Sequence, residues 1–163
     1  MKKNFERLVK IIAILVLGVF AISCGKGGKG SAEPGSIEAI KKAGKIRIGV
    51  FGDKPPFGFV DENGKNQGYD IYLAKRLAKD LLGDENKIEF ITLEAANRVE
   101  YLLSNKVDII LANFTVTDER KQKVDFAKPY MKVSLGIVSP EGAPIKDVKE
   151  LKGKKLIVNK GTT

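Results

Sequence analysis

The chain has 163 residues and 43% of them are hydrophobic, which is enough to bury one ordinary core. Its formal net charge of +9 is spread along the chain without a block of five like charges, and this makes nucleic-acid binding a weak interpretation. Histidine is absent, so the sequence excludes a His-ligated metal site and a Ser-His or Cys-His catalytic pair.

The N-terminal residues have the pattern of an export signal. Basic side chains come first, a nearly unbroken apolar run follows from 11 to 22, and a small residue precedes Cys24. The apolar run is too short to cross a bilayer as a helix. Residues 1–23 are therefore predicted to be a signal peptide, and residues 24–35, which are rich in Gly and Lys, a flexible tether. Cys24 is the only cysteine, so no disulfide can form within the chain.

Short helices and strands follow the tether. Ser36 can cap the first helix, and Asn63-Gly64 is a hairpin turn signal. Apolar periodicity predicts helices over 37–43, 68–82, 96–104 and 148–152, and strands over 45–50, 87–93, 107–111 and 156–158. Asp70 is interpreted as a first-turn acid favoured by the helix dipole, and Leu103 is predicted to face inward. This order of elements indicates the α/β class.

The junction that ends at Arg120 carries the main indication of a binding site. The apolar strand over 107–111 enters it, and Thr117 with two following acids leaves it as a helix start. Asn113 and Thr115 lie between them. Such a junction falls at the carboxyl edge of an open α/β sheet, where ligands usually bind, and its amides, hydroxyls and guanidinium suit a carboxylate. Spacing alone nevertheless favours a solvated helix start with Arg120 on the surface.

The same stretch resembles the signature of family 3 extracellular solute-binding proteins, the amino-acid receptors of ABC importers. The residues that carry the resemblance are 113–120, which read Asn-Phe-Thr-Val-Thr-Asp-Glu-Arg, then Val124-Asp125-Phe126 and Pro129-Tyr130. The resemblance implies a type II periplasmic-binding-protein fold, with lobe one nearly complete at 36–138 and the start of lobe two at 139–163. It also implies a strand over 131–138, which family members use to leave lobe one. We therefore expect the chain to be an N-terminal fragment of a longer receptor.

The resemblance also implies which residues grip the main-chain groups of an amino acid. In the family, the position of Arg120 clamps the α-carboxylate, and the positions of Asn113 and Thr115 contact the ammonium and carboxylate groups. A second junction runs from Asn159 to Thr163 and implies backbone N–H groups that meet the carboxylate from the other lobe. Closure of the two lobes on the ligand is the implied mechanism.

Two basic residues are implied near the ligand side chain. Lys54 stands where relatives often carry an aromatic residue, which is a departure from the family pattern. Arg98 stands where relatives that take acidic or small polar amino acids place an arginine in the pocket, and a surface position is an equal alternative. Residues 95–98 and 112–115 resemble those of cysteine-binding members. This resemblance places cysteine first as the expected ligand, with aspartate or glutamate second. Lysine and arginine are disfavoured as ligands, because Lys54 and Arg98 carry the same charge.

Residues 21–24, which read Ala-Ile-Ser-Cys, resemble a bacterial lipobox. The resemblance implies acylation of Cys24 and a lipid-anchored location in the periplasm or at the outer cell surface. It also implies an ABC permease of the inner membrane as partner. A secreted protein with a free thiol at Cys24 is the alternative. We further expect a monomer that needs no cofactor.

Two other functions are compatible with the same fold. Cyclohexadienyl dehydratases are enzymes that need an acid over the bound ring, and the sequence shows no isolated acid in an apolar setting. A sensor domain of a membrane receptor or kinase is the second alternative, although Cys24 would already supply an anchor. We therefore expect a binding protein and not an enzyme.

Overall fold

The computed structural model describes residues 32–163. The predicted signal peptide, Cys24 and most of the predicted tether lie outside the described residues. In chain order the elements are α1 (Ile37–Ala43), β1 (Ile46–Val50), β2 (Asp53–Lys54), β3 (Gly58–Val60), β4 (Asn66–Gln67), α2 (Tyr69–Leu82), β5 (Ile88–Thr92), a 3-10 turn (Ala95–Asn97), α3 (Arg98–Leu103), β6 (Ile109–Leu111), α4 (Asp118–Lys121) and a 3-10 turn (Val148–Leu151).

Three strands form a parallel sheet in the order β5–β1–β6. The central strand β1 is the most buried, with Ile46, Ile48 and Val50 at 0% exposure. Parallel strands need a crossover connection, and α2 with the small sheet β2–β3–β4 supplies the one between β1 and β5. The α/β class predicted from the sequence is therefore confirmed.

Helix α2 covers the sheet with the face that its periodicity predicts. Ile71, Ala74 and Ala78 are buried and pack in one apolar cluster with the side chains of β1. Each fully buried Ile or Val contributes about 1.5–3 kcal/mol relative to exposure. This cluster holds α2 against the sheet. The packed sheet in turn supports the loops that follow its strands.

The short helices begin and end at the signals in the sequence. The Ser36 side chain accepts a hydrogen bond from the Ala39 backbone N–H at 3.2 Å, and Gly44 ends α1 with a φ of 71°. Asn63-Gly64 lies in the loop between β3 and β4, where Gly64 has a φ of 73°. Local chemistry therefore decides these boundaries.

Two predicted strands are wrong. Residues 131–138 and 156–158 form no ladder with any strand among residues 32–163, and Leu135, Val138 and Ile157 are 83%, 100% and 95% exposed. Apolar alternation makes a strand only where a neighbouring backbone completes the hydrogen bonds.

Two predicted helices also differ in detail. The helix predicted over 96–104 opens as a 3-10 turn, and Leu103 is 61% exposed instead of facing inward. The helix predicted over 148–152 is a single 3-10 turn capped by Asp147. Among residues 32–163, no helix has both the length and the apolar content needed to cross a membrane.

Candidate ligand-binding site

The three parallel strands end level with one another at one edge of the sheet. The residues that come directly after β1, β5 and β6 are Phe51, Leu93 and Ala112, and together they form a second buried cluster. This cluster supports the loops that follow the strands. Polar residues far apart in the sequence therefore meet above it.

Arg120 lies just after β6, and the backbone sets its position. The Thr117 hydroxyl caps α4 by accepting a hydrogen bond from the Arg120 backbone N–H at 3.2 Å. The half-buried Arg120 guanidinium donates to the carbonyl oxygens of Thr115 at 2.7 Å and Gly161 at 2.8 Å. The guanidinium is thus held against the loops at the sheet edge.

Arg98 opens α3 and is 2% exposed, so the alternative of a surface position is wrong. Its guanidinium donates to four carbonyl oxygens, those of Ala95 at 3.0 Å, Ala112 at 2.9 Å, Asn113 at 3.1 Å and Gly161 at 2.7 Å. A buried cation needs such bonds because it has lost its water. Arg98 therefore ties the loop after β5 to the loop after β6.

The guanidiniums of Arg98 and Arg120 share two neighbours. Both donate to the carbonyl oxygen of Gly161, and their central carbons lie 4.6 and 4.7 Å from the centroid of the Phe114 ring. Within residues 32–163 neither of them forms a salt bridge with a carboxylate. Burial, and then the charge of Arg120, lower the pKa of Arg98 to about 10, so Arg98 stays protonated at neutral pH. The pair forms an electropositive site that suits an anion.

Gly161 supplies the shared oxygen, and its position suits only glycine. Its φ is +81°, and an added Cβ would lie 2.6 Å from the Cα of Ala96. The Thr162 hydroxyl donates to the Asn159 carbonyl at 2.8 Å and closes the turn. Asn159 and Thr163, which the resemblance implies as ligand contacts, are exposed in this structure. The resemblance implies backbone N–H groups at residues 159–163 as ligand contacts, whereas in this structure it is the Gly161 carbonyl oxygen that meets the arginines, and the sequence did not predict that contact.

Asn113 connects the arginine site to a buried carboxylate. Its backbone has a φ of 45°, and its side-chain oxygen is buried with no hydrogen-bond partner among residues 32–163. Asp70 is fully buried, its Oδ1 accepts a hydrogen bond from the Tyr130 hydroxyl at 2.9 Å, and its Oδ2 has no hydrogen-bond partner among residues 32–163. Burial raises the pKa of the Asp70 carboxyl, against the opposite effects of the Tyr130 hydroxyl and of the Asn113 backbone. Asp70 is in the first turn of α2 as predicted, but its burial was missed because Tyr130 is 60 residues away.

Lys54 lies at the same sheet edge, outside the arginine pair. Its ammonium pairs with Asp53 and lies 5.6 Å from the centroid of the Phe51 ring. The Arg98 guanidinium lies 5.7 Å from the same ring. The Thr115 side chain is exposed, and the contact of Thr115 to Arg120 runs through its carbonyl. The structure therefore brings Asn113 to Arg98 and Thr115 to Arg120, and Lys54 lies beside this group.

A groove of about 660 Å³ runs beside β6, and the loop residues Asn113, Phe114 and Thr115 form part of its lining. Apolar side chains of β6 and of residues 125–133 line most of it, and Arg98 and Arg120 do not contribute. In the described part of the chain, no three Cys, Asp or Glu side chains cluster as metal ligands do. The anion-binding character of the site rests on the two guanidiniums.

Comparison with known proteins connects this geometry to a family. Residues 46–163 match the bacterial extracellular solute-binding proteins, family 3. The solute receptor for L-cysteine of Neisseria gonorrhoeae is 66% identical, with a TM-score of 0.76 over 78% of this chain and 52% of that chain. The ABC transporter glutamine-binding protein of Bacillus subtilis is 37% identical and covers 100% of this chain and 61% of its own length.

A third similar protein is an ancestral amino acid-binding protein, a precursor of cyclohexadienyl dehydratase. It is 43% identical, with a TM-score of 0.55 over 58% of this chain and 40% of that chain. The chain therefore spans about half the length of the proteins it matches.

Proposed function

Because the chain belongs to the bacterial extracellular solute-binding proteins of family 3, we propose that it is a receptor for a polar L-amino acid. Its architecture is the type II periplasmic-binding-protein fold, as the sequence predicted. The receptor captures its ligand in the cell envelope and passes it to an ABC permease in the inner membrane. Residues 36–138 form most of lobe one and residues 139–163 begin lobe two.

The arginine pair is the observation that supports this function most. Arg98 and Arg120 aim N–H groups at one oxygen, yet that oxygen belongs to the neutral carbonyl of Gly161. A carboxylate accepts such bonds more strongly because it carries charge, and Arg can hold it through two parallel bonds. The α-carboxylate of the ligand therefore replaces the Gly161 carbonyl at Arg120, with Arg98 as the second donor.

The amino group of the ligand has a matching acceptor. The Asn113 side-chain oxygen is buried and has no hydrogen-bond partner among residues 32–163. A buried acceptor without a donor costs about 1–3 kcal/mol, and an ammonium group would remove that cost. Thr115 assists from the same loop. Asn159 and Thr163 complete the carboxylate contacts when the lobes close.

The positive flank narrows the choice of amino acid. Lys54 and Arg98 disfavour cationic ligands and suit small polar or acidic side chains. The Neisseria gonorrhoeae protein is a receptor for L-cysteine, and the Bacillus subtilis protein binds glutamine. We place L-cysteine first and aspartate or glutamate second.

The N-terminal residues supply the location within this proposal. Cys24 carries a lipid anchor after removal of residues 1–23, and residues 24–35 tether the folded part to the membrane. The receptor works as a monomer in the periplasm or at the outer cell surface.

A thermal-shift screen of the full-length mature protein against the common L-amino acids tests the function. A ligand at 100 times its dissociation constant stabilises the folded state by about 2.7 kcal/mol. Stabilisation by cysteine, aspartate or glutamate supports the proposal, and stabilisation by arginine or lysine alone contradicts the ligand choice. A parallel assay with prephenate tests the alternative that the precursor relationship suggests. Turnover of prephenate without any response to amino acids would identify an enzyme instead.

A further inference from the structure

We propose that Phe114 is a positioning residue: its ring face holds the Arg120 guanidinium toward the ligand and also lies within cation–π distance of the fixed guanidinium of Arg98. This inference rests on the proposed carboxylate site and adds a residue to it. Phe114 lies between Asn113 and Thr115 on the loop after β6, so its ring belongs to the site itself.

The two arginines differ in the number of atoms that hold them. Arg98 is buried and donates to four carbonyl oxygens, and three of these bonds remain if a ligand replaces the Gly161 oxygen. Arg120 is half-buried and donates to two, and one of these is the Gly161 oxygen that the ligand would replace. Once that bond is exchanged, the Thr115 carbonyl and the Phe114 ring still hold Arg120.

The ring geometry supports this role. The guanidinium carbons lie 4.6 Å for Arg98 and 4.7 Å for Arg120 from the Phe114 centroid, and both distances are within the range of cation–π attraction. The Phe126 ring packs against Phe114 with a centroid distance of 5.2 Å. Phe114 thus contacts the apolar side chain of Phe126 and lies within reach of both cations.

The chemistry explains why a phenyl ring suits this place better than an acid. Two guanidiniums side by side repel each other, and a carboxylate between them would relieve the repulsion. That carboxylate would also occupy the donors that the ligand needs. The negative face of an aromatic ring attracts both cations without accepting their N–H groups, so the donors stay available.

Three variants separate this role from simple packing. Phe114→Leu keeps an apolar side chain and removes the ring face, whereas Phe114→Tyr keeps the face. Phe126→Leu is the matched control, because Phe126 contacts the Phe114 ring and is not among the rings that lie near a guanidinium in the described chain.

The first measurement is the order parameter of the arginine Nε–H groups by NMR in the ligand-free full-length protein. We expect Phe114→Leu to lower the order parameter of Arg120 and to leave that of Arg98 unchanged. Phe114→Tyr and Phe126→Leu should keep both values. An Arg120 order parameter that is the same in Phe114→Leu as in the parent overturns the proposal, whether or not an amino acid binds.

The second measurement is calorimetric affinity with L-cysteine and L-glutamate as probes. We expect Phe114→Leu to weaken binding roughly 2- to 30-fold, which is the range of a single cation–π contact from exposed to desolvated. In an Arg120→Gln background, which has no cation at position 120, the same change should add less than a further 2-fold or so, because Phe114 acts through Arg120. If the reduction in affinity of the double variant equals the product of the two single-variant reductions, the proposal is contradicted. Failure of every amino acid to bind the parent would refute the receptor function, and the NMR result would still decide the role of Phe114.

Discussion

Arg98 and Arg120 divide the work of the site between them. Arg98 is 2% exposed and donates hydrogen bonds to carbonyl oxygens of the surrounding loops. Arg120 is half-buried, and the Gly161 oxygen is one of its two acceptors. Buried polar groups that are satisfied internally rigidify a structure. Arg98 is therefore the more rigid donor of the pair and Arg120 the less restrained one, and both face the Gly161 oxygen that the ligand carboxylate would replace.

Replacing Arg120 should weaken ligand binding in the full-length receptor. Arg120→Ala leaves a carboxylate without its charged partner in a closed cleft, at a cost of about 2–5 kcal/mol. Arg120→Lys keeps the charge but lacks the planar guanidinium, so it should reduce the affinity less than Arg120→Ala does, and still measurably. Calorimetry with the most stabilising amino acid measures both. Arg76→Ala is the control, because Arg76 is exposed on α2 and pairs only with Asp80. Equal binding by Arg120→Ala and the parent would return Arg120 to the solvated surface interpretation.

Asp70 should give the stability of the fold a specific pH dependence. Its pKa in the folded state is raised above the ordinary value of 3.8, chiefly by burial, so the folded state holds this proton more tightly than the unfolded state. The resulting contribution to stability is present below pH 3.8 and is lost as the pH rises through the folded-state pKa. The side chain of Asp70→Asn cannot ionise, so this variant should not lose stability in this way as the pH rises.

Urea unfolding of the Asp70→Asn variant and its parent from acid to neutral pH measures this effect. The free energy of unfolding of Asp70→Asn minus that of the parent should increase as the pH rises. Asp80→Asn on the same helix is the control, because Asp80 is exposed. The difference in free energy of unfolding between Asp80→Asn and the parent should not increase with pH in this way. A difference between Asp70→Asn and the parent that is constant across the pH range would show that burial does not shift Asp70.

The elements that the sequence predicted well are those with a complete local signal. Helices α1 and α2 have both apolar periodicity and a terminal signal, and β1 has alternation next to a turn. Residues 131–138 have the same alternation but no neighbouring strand within residues 32–163, so the prediction failed there. A strand depends on its partner, and that information is not local.

The site could be predicted in part for the same reason. Asn113, Thr117 and Arg120 lie within one strand-to-helix junction, so spacing and resemblance brought them together before the structure did. The contact of Arg98 with Gly161 joins residues 63 positions apart, and no periodicity reports such an approach. The sequence could therefore name the arginines but not the oxygen that they share.

The helix cap of α4 should influence both stability and binding. Thr117→Ala removes the acceptor of the Arg120 backbone N–H, at a cost of about 1 kcal/mol. Because α4 has only four residues, we expect the change to shift Arg120 as well. Thr117→Ser keeps the acceptor and should behave like the parent in urea unfolding and in calorimetry. If the Ala and Ser variants are equally stable, the cap does not hold this helix.

The proposed receptor works through two lobes that close on one ligand. The chain spans about half the length of its relatives, and residues 139–163 begin the second lobe in this proposal. The ligand shifts the population toward the closed form by the difference between its affinities for the two forms. Exchange of the Gly161 carbonyl for a ligand carboxylate at the arginine pair would supply that difference.

Cys24 should hold the molecule at a membrane. Several acyl chains on one cysteine anchor a protein durably, whereas one chain binds only marginally. Cys24→Ala should therefore move the protein from the membrane fraction to the soluble envelope fraction in a fractionation blot. Ser23→Ala is the control, because it keeps a small residue before the cysteine. Sedimentation of the Cys24→Ala protein with membranes would mean that lipidation is not the anchor.

The central claim is that the arginine pair binds the carboxylate of a polar L-amino acid. Calorimetry of the full-length receptor with L-cysteine and with its decarboxylated amine, and with L-glutamate and its α-decarboxylated amine, tests it most directly. We predict that at least one of the two amino acids binds and that its amine binds more weakly by on the order of 100-fold, because the amine leaves both guanidiniums without an anion. Equal affinities for an amino acid and its amine would contradict the account.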